Sequence, residues 1–267
     1  MRSDGGKLSF ALVFLLEKWY GDVVTAQGGG AGAIIYAARL RWGPLRAGYG
    51  ATLIFGDSPH TSSTVRGVAL PRLETDLATW HNEALGADAT WCRDADPIES
   101  CLADGPNGAI QWTCHMPRAV ARVRIGDATF HGLGYLEHVV LTIPPAKLPF
   151  REGALRWGRY LSPRHALVWI AWTGRDAEPR QWTWLDGVAQ AGVEQLDGGH
   201  RLVLHECRPI RDQPLLATIG VPLPKLARRL AGTLDAAREH KRVSRATLVN
   251  GAGPVDEGWV IHEEVLW

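Results

Sequence analysis

Apolar residues along this chain recur at every second position or in short runs, and clusters of glycine, proline and asparagine break them up. Alternation of this kind places successive side chains on opposite faces of an extended strand. It predicts strands over 8–16, 18–25, 33–42, 47–55, 64–70, 109–114, 119–125, 128–133, 135–143, 154–160, 166–173, 180–186, 201–206, 215–219, 244–249 and 258–266. Turn chemistry separates them at Gly28-Gly29-Gly30, Gly56-Asp57-Ser58-Pro59, Gly105-Pro106-Asn107-Gly108, Gly126-Asp127, Asp186-Gly187, Asp197-Gly198-Gly199 and Asn250-Gly251. Two segments read differently. Leu223–His240 spaces Leu226, Leu230 and Leu234 as a helix would, after Pro222 and Pro224, and Leu73–Leu85 fits either a helix or a strand.

So many short strands predict an all-β, antiparallel barrel or sandwich. A chain of 267 residues suits one large β domain or two smaller ones. The Pro-rich bend Ile143–Pro149 is the best boundary, dividing residues 1–145 from 146–267; the alternative is a long loop inside one domain.

Composition narrows the class. With 46% apolar and 21% charged residues the chain can build a core, which excludes disorder as its main state. A net charge of +1 disfavours nucleic acid as a partner. No apolar run approaches the ~18 residues of a membrane span. Leu8–Leu16 has the look of a signal-peptide core, but it lacks a cleavage site close behind it and reads as a first strand. Cys92, Cys101, Cys114 and Cys207 show no CxxC spacing, so mostly buried, reduced thiols and a cytoplasmic setting are expected. In a secreted protein a Cys92–Cys101 bridge would be the alternative. Phosphate-loop, nucleophile-elbow and metalloprotease signatures are missing, and the expectation is no metal and no cofactor.

The composition is unusual in one respect: twelve Trp against five Phe and five Tyr. Their spacing pairs indoles with polar groups. In Glu17–Asp22, alternation puts Glu17, Trp19 and Gly21 on one face and Lys18, Tyr20 and Asp22 on the other. In Gly132–His138, Tyr135 and Glu137 share a face opposite Leu136 and His138. Trp157 shares a face with Arg159, and Trp182 with Trp184, whereas Trp169 and Trp172 oppose each other. A Glu beside an aromatic wall is a candidate acid, because burial disfavours its charged form. Indole faces in turn tolerate a developing carbocation. The set reads as a pocket for a large, mostly apolar ligand, although Trp on a strand also serves as plain core.

These residues resemble the hydroxyneurosporene synthase (carotenoid 1,2-hydratase) family and the AttH-like proteins of related fold. Glu17-x-Trp19-Tyr20 resembles the family's Glu-Trp-Trp-Tyr signature, Gly132-x-Gly134-Tyr135-x-Glu137-His138 its Gly-x-Gly-Tyr-x-Asp-His element, and Trp157-Gly158-Arg159 its Trp-Gly-Arg. Glu137 stands where the hydratases carry Asp, one methylene shorter. The resemblance implies two lipocalin-like (calycin) antiparallel domains and a cofactor-independent hydratase (a lyase) or cyclase. The substrate would be a terpenoid, polyene or polyketide-like molecule.

In that scheme Glu137 is the general acid, His138 orients it or activates water, and Arg159 tunes the carboxyl. Trp19, Tyr20, Tyr135, Trp157, Tyr160, Trp182 and Trp184 line the pocket. Regular alternation lets only one of Glu137 and His138 reach it, and Glu137 is preferred. A lipocalin-like carrier without chemistry would share every lining residue, and a structural domain would use the same indoles as packing.

Overall fold

The computed structural model describes residues 13–25, 29–175, 178–194, 196–215, 217 and 236–267. Among these, strands and three single 3-10 turns make up the regular structure, and every strand pair is antiparallel. The first sheet holds β1 (Phe14–Thr25), β2 (Gly32–Trp42), β3 (Leu45–Phe55), β4 (His60–Thr64), β5 (Arg72–Leu73), β6 (Leu77–Asn82), β7 (Ala87–Arg93), β8 (Ile98–Gly105), β9 (Gly108–Ile125) and β10 (Ala128–Leu141). Its order is β4-β3-β2-β1-β10-β9-β7-β6-β5, with β8 also paired to β9. The second sheet holds β11 (Ala154–Leu161), β12 (Ala166–Thr173), β13 (Arg180–Leu185), β14 (Val188–Ala189), β15 (Arg201–Pro214), β16 (Arg238–Asn250) and β17 (Gly253–Leu266), in the order β14-β13-β12-β11-β17-β16-β15. The chain passes from one sheet to the other between Leu141 and Ala154, the stretch that contains the Pro-rich bend.

The strand pattern is longer and less interrupted than the sequence suggests. Segments 109–114 and 119–125 merge into β9, and 128–133 and 135–143 into β10. Pro117 does not end β9 because the strand is bulged there: three steps along β10, Gly134 to Glu137, face five along β9, Ala119 to Cys114. Two surplus residues relax the ladder where proline has no N–H to give. The 64–70 segment is a strand only as far as Thr64. Strands β7 and β8 have no counterpart in the hydrophobic pattern: the inward positions of β7 include Ala87 and Ala89, which give little apolar signal, and β8 buries only Ile98 and Leu102. The ambiguous 73–85 stretch becomes strand β6 and a 3-10 turn, Glu83–Leu85, capped by Asn82 Oδ1 accepting from Leu85 N at 3.2 Å. Most of the expected helix over 223–240 and of the strand over 215–219 lies outside the described residues, but Arg238–His240 are strand.

Alternation sorts the side chains into three cores. One face of the first sheet gathers Trp19, Val23, Ile35, Trp80, Trp91, Met116, Val123 and Leu136. Gly134 makes room there: a Cβ would lie 2.4 Å from Ala121 Cβ and 2.9 Å from Trp91 Cδ1. The far face of the second sheet gathers Tyr160, Leu167, Ala246, Leu248 and Val260. Between the sheets lies the largest cluster, with Tyr20, Tyr36, Trp112 and Tyr135 from the first sheet meeting Trp157, Val168, Trp172, Trp184 and Ile261 from the second.

Candidate active site

Glu137 lies in the core between the sheets, on the same face of β10 as Tyr135, and is 6% exposed. Three donors converge on a single carboxyl oxygen. Trp112 Nε1 and the Tyr135 hydroxyl each donate to Oε2 at 2.7 Å, and Trp157 Nε1 donates at 3.0 Å. Trp157 comes from β11, so this carboxyl ties the two sheets together. Burial raises the pKa of Glu137 above the usual carboxylate value; the bonds from Trp112 and Tyr135, the field of Lys18 and the bond from Trp157 oppose the shift without cancelling it. All three donors go to Oε2, which leaves Oε1 as the oxygen that would take the proton whenever the group is protonated.

The acid is walled by rings. Trp184 of β13 stacks on Trp112 at 4.8 Å and 19°. Tyr20 and Tyr135 meet the Trp157 ring edge-on at 4.8 and 5.6 Å. Buried Cys114, directly across the ladder from Glu137, closes the floor, and burial raises its thiol pKa.

Two further charged groups sit in the same core. Asp22 and Arg159, neither with any solvent exposure, form a bidentate pair: Nη2 to Oδ1 at 2.6 Å and Nε to Oδ2 at 3.1 Å. Tyr20 donates to Asp22 Oδ2 at 2.9 Å, and Arg159 Nη1 to the Trp259 carbonyl at 2.8 Å. Lys241 is also fully buried. It pairs with Glu263, lies 3.7 Å from Glu239 Oε1, and sits 5.1 and 5.4 Å from the ring centres of Tyr20 and Trp157. Burial alone would lower the Lys241 pKa, but Glu263, Tyr36 and Glu239 outweigh it and hold the ammonium charged. Trp157 therefore has the Glu137 carboxyl at its N–H and the Lys241 ammonium over its face.

The expected set divides. Tyr20, Tyr135, Trp157 and Trp184 gather with Glu137 as strand alternation requires, and Trp182 stands further along the same face of β13, 4.5 Å from Trp172. Three others point elsewhere. His138 turns to the opposite face of β10, stacks on Trp19 at 4.2 Å and places Nε2 3.3 Å from Glu17 Oε1. Trp19 follows it, held between His138 and His115. Tyr160 faces the far side of the second sheet and donates to the Asp256 carbonyl at 3.0 Å. Arg159, expected beside Glu137, is engaged by Asp22 instead. Of the cysteines only Cys114 is buried, and all four are free thiols.

The roomy pocket expected around the acid is filled by indoles in this conformation. Cavities of about 190 to 450 Å³ open elsewhere, with linings that do not include Glu137. Sequence reasoning missed Trp112, Asp22 and Lys241 as members of the site. Asp22 was already on the Tyr20 face, but Lys241 lay between the helix expected over 223–240 and the strand expected over 244–249. Among the described residues no group of three or more His, Cys, Asp or Glu is arranged to hold a metal.

Backbone comparison finds this architecture in several solved structures. A protein described as an AttH, from Nitrosomonas europaea, superposes with a TM-score of 0.52 at 13% identity, over 93% of this chain and 92% of that one. Kievitone hydratase from Nectria haematococca gives 0.54 at 10%, over 93% and 88%. CghA in complex with Sch210972 gives 0.51 at 11%, over 95% and 88%. No protein-family profile and no curated relative matches the sequence. The likeness is one of fold, and it bears out the AttH-like architecture that the aromatic motifs suggested.

Proposed function

We propose that this protein is a cofactor-independent hydratase or cyclase, in which Glu137 protonates a carbon–carbon double bond of a large apolar substrate of terpenoid, polyene or polyketide-like type. The observation that carries this reading is the convergence of three donors on Oε2 of a buried carboxyl whose pKa burial raises. The proton on Oε1 passes to one alkene carbon, a C–H bond forms, and the positive charge is left on the other carbon. Either water adds to that carbon and returns a proton to the Glu137 carboxylate, or a second double bond of the substrate closes a ring, moving the positive charge, and a C–H beside the new cation gives its proton back to that carboxylate as a double bond forms. The three donors stabilise the carboxylate that forms, and a positioned acid of this kind contributes on the order of 10²–10⁴ in rate.

Tyr20, Tyr135, Trp157, Trp182 and Trp184 supply apolar surface and π-faces, each worth about 2 kcal/mol to a desolvated cation. Arg159 acts as a positioning residue, through Asp22 and the Tyr20 hydroxyl. Because the acid is covered, substrate entry requires the Trp112–Trp184 stack to part. That a kievitone hydratase shares the fold supports water addition as a reaction this scaffold accommodates.

The test is incubation with prenylated or polyene substrates in deuterated water, comparing the native protein with Glu137→Gln by mass spectrometry. The native protein should give a hydrated or isomeric product carrying deuterium at the new C–H bond, and Glu137→Gln should bind but lose at least ~10²-fold in turnover. Substrate binding with no turnover by either protein would reduce the molecule to a carrier.

A further inference from the structure

On the face of the first sheet opposite Glu137, a cleft of about 450 Å³ opens where β1, β2 and β3 run out towards solvent. Its walls carry Arg39 and Arg41 from β2 and Arg46 from β3. Arg41 stands directly across the ladder from Arg46, and Arg39 from Gly48, so the charges are crowded and the missing side chain at Gly48 leaves space beside them. Like charges directly opposed on a sheet repel. Among the described residues no carboxylate forms an ion pair with any of the three; Arg46 donates only to the carbonyls of Gly43 and Leu45. The one acid in the lining, Glu17, faces Arg39 across the ladder and has Oε1 3.3 Å from His138 Nε2. Three arginines against one glutamate leave the wall two positive charges in excess.

The rest of the lining is apolar, with Leu15 on β1 and Val65 and Val68 on the segment that follows β4. One row deeper on the same strand faces, Trp19 lies across from Ala37 and His138. Trp19 is 5% exposed, and its Nε1 finds no acceptor, an N–H left without a partner at the inner end of the strand face that bears the arginines. Guanidinium forks match carboxylate and phosphate oxygens in pairs, and the apolar wall needs a greasy segment on the same molecule.

We propose that this cleft is a binding site, separate from the Glu137 site, for a small organic anion with an apolar chain, its carboxylate held by Arg39, Arg41 and Arg46. The site does not depend on the chemistry assigned to Glu137.

Calorimetric titration with dodecanoate tests it, with dodecyltrimethylammonium as the cation of equal chain length and inorganic phosphate as the anion without a chain. The native protein should bind dodecanoate saturably, more weakly as salt is raised, and bind the other two at least about ten-fold more weakly. Arg39→Gln combined with Arg41→Gln should weaken dodecanoate about ten-fold or more. Arg122→Gln, which removes an exposed arginine from β9, should leave it unchanged. No binding by the native protein, equal binding of the cationic homologue, or undiminished binding by the double variant would each overturn the proposal. All three arginines are exposed, so the variants should fold, as far-ultraviolet circular dichroism will show.

Discussion

Removing one partner of the Asp22–Arg159 pair should be far more costly than removing both. Each side chain is without solvent exposure, and two hydrogen bonds of 2.6 and 3.1 Å join them. Arg159→Met leaves the Asp22 carboxylate in the core with only the Tyr20 hydroxyl for company, and Asp22→Asn leaves a guanidinium facing a neutral amide. An uncompensated buried charge costs about 3–5 kcal/mol, a large part of the roughly 5–15 kcal/mol by which folded proteins are stable. With a urea dependence of about 2–3 kcal/mol per molar, each single substitution should lower the unfolding midpoint by about 1–2 M. The combination Asp22→Asn with Arg159→Met removes both charges, keeps an acceptor for Tyr20, and should be less destabilised than the sum of the singles by about 2 kcal/mol or more. Urea titrations of the four proteins, followed by tryptophan fluorescence, give that coupling directly. Single costs that simply add, within about 0.5 kcal/mol, would refute the idea that the pair acts as a unit across the sheets.

Two other outcomes follow from the same core. Glu137 has a folded pKa above its unfolded value, so its contribution to stability is fully present below the usual carboxylate pKa of 4.5 and is lost as pH rises through the folded value. Glu137→Gln should therefore gain stability relative to the native protein as pH increases from about that point, in thermal melts taken across the range; a constant difference would mean the carboxyl is charged in the fold. Gly158→Ala should destabilise by about 1–3 kcal/mol, because a Cβ there would lie 2.0 Å from Cζ2 of Trp169, its cross-strand partner, and an unchanged melting temperature would show that the ring moves freely.

What the sequence revealed and what it concealed divide along physical lines. Tyr135 and Glu137 could be placed on one face, and His138 on the other, because strand alternation is a local property. The membership of Trp112 depends on how β9 is set against β10, where two surplus residues shift the register. That bulge left no mark in the hydrophobic pattern beyond Pro117. Arg159 shared a face with Trp157 as expected, yet its partner comes from 137 residues away, through the docking of one sheet on the other. Lys241 was the least legible. A lysine is buried only where an acid meets it, and its acid, Glu263, is the residue directly across the β16–β17 ladder. Strand pairing of that kind is visible only once the fold is known.

The Trp112–Trp184 stack has an optical consequence. Two indoles 4.8 Å apart with ring planes 19° from parallel are close enough to couple their electronic transitions, which should split their circular dichroism band into lobes of opposite sign. One ring belongs to each sheet, so this contribution depends on the sheets staying packed at Glu137, whereas Trp172 and Trp182, 4.5 Å apart within the second sheet, contribute separately. A ligand that displaces Trp184 should remove the Trp112–Trp184 contribution, a change that can be followed in solution without a label.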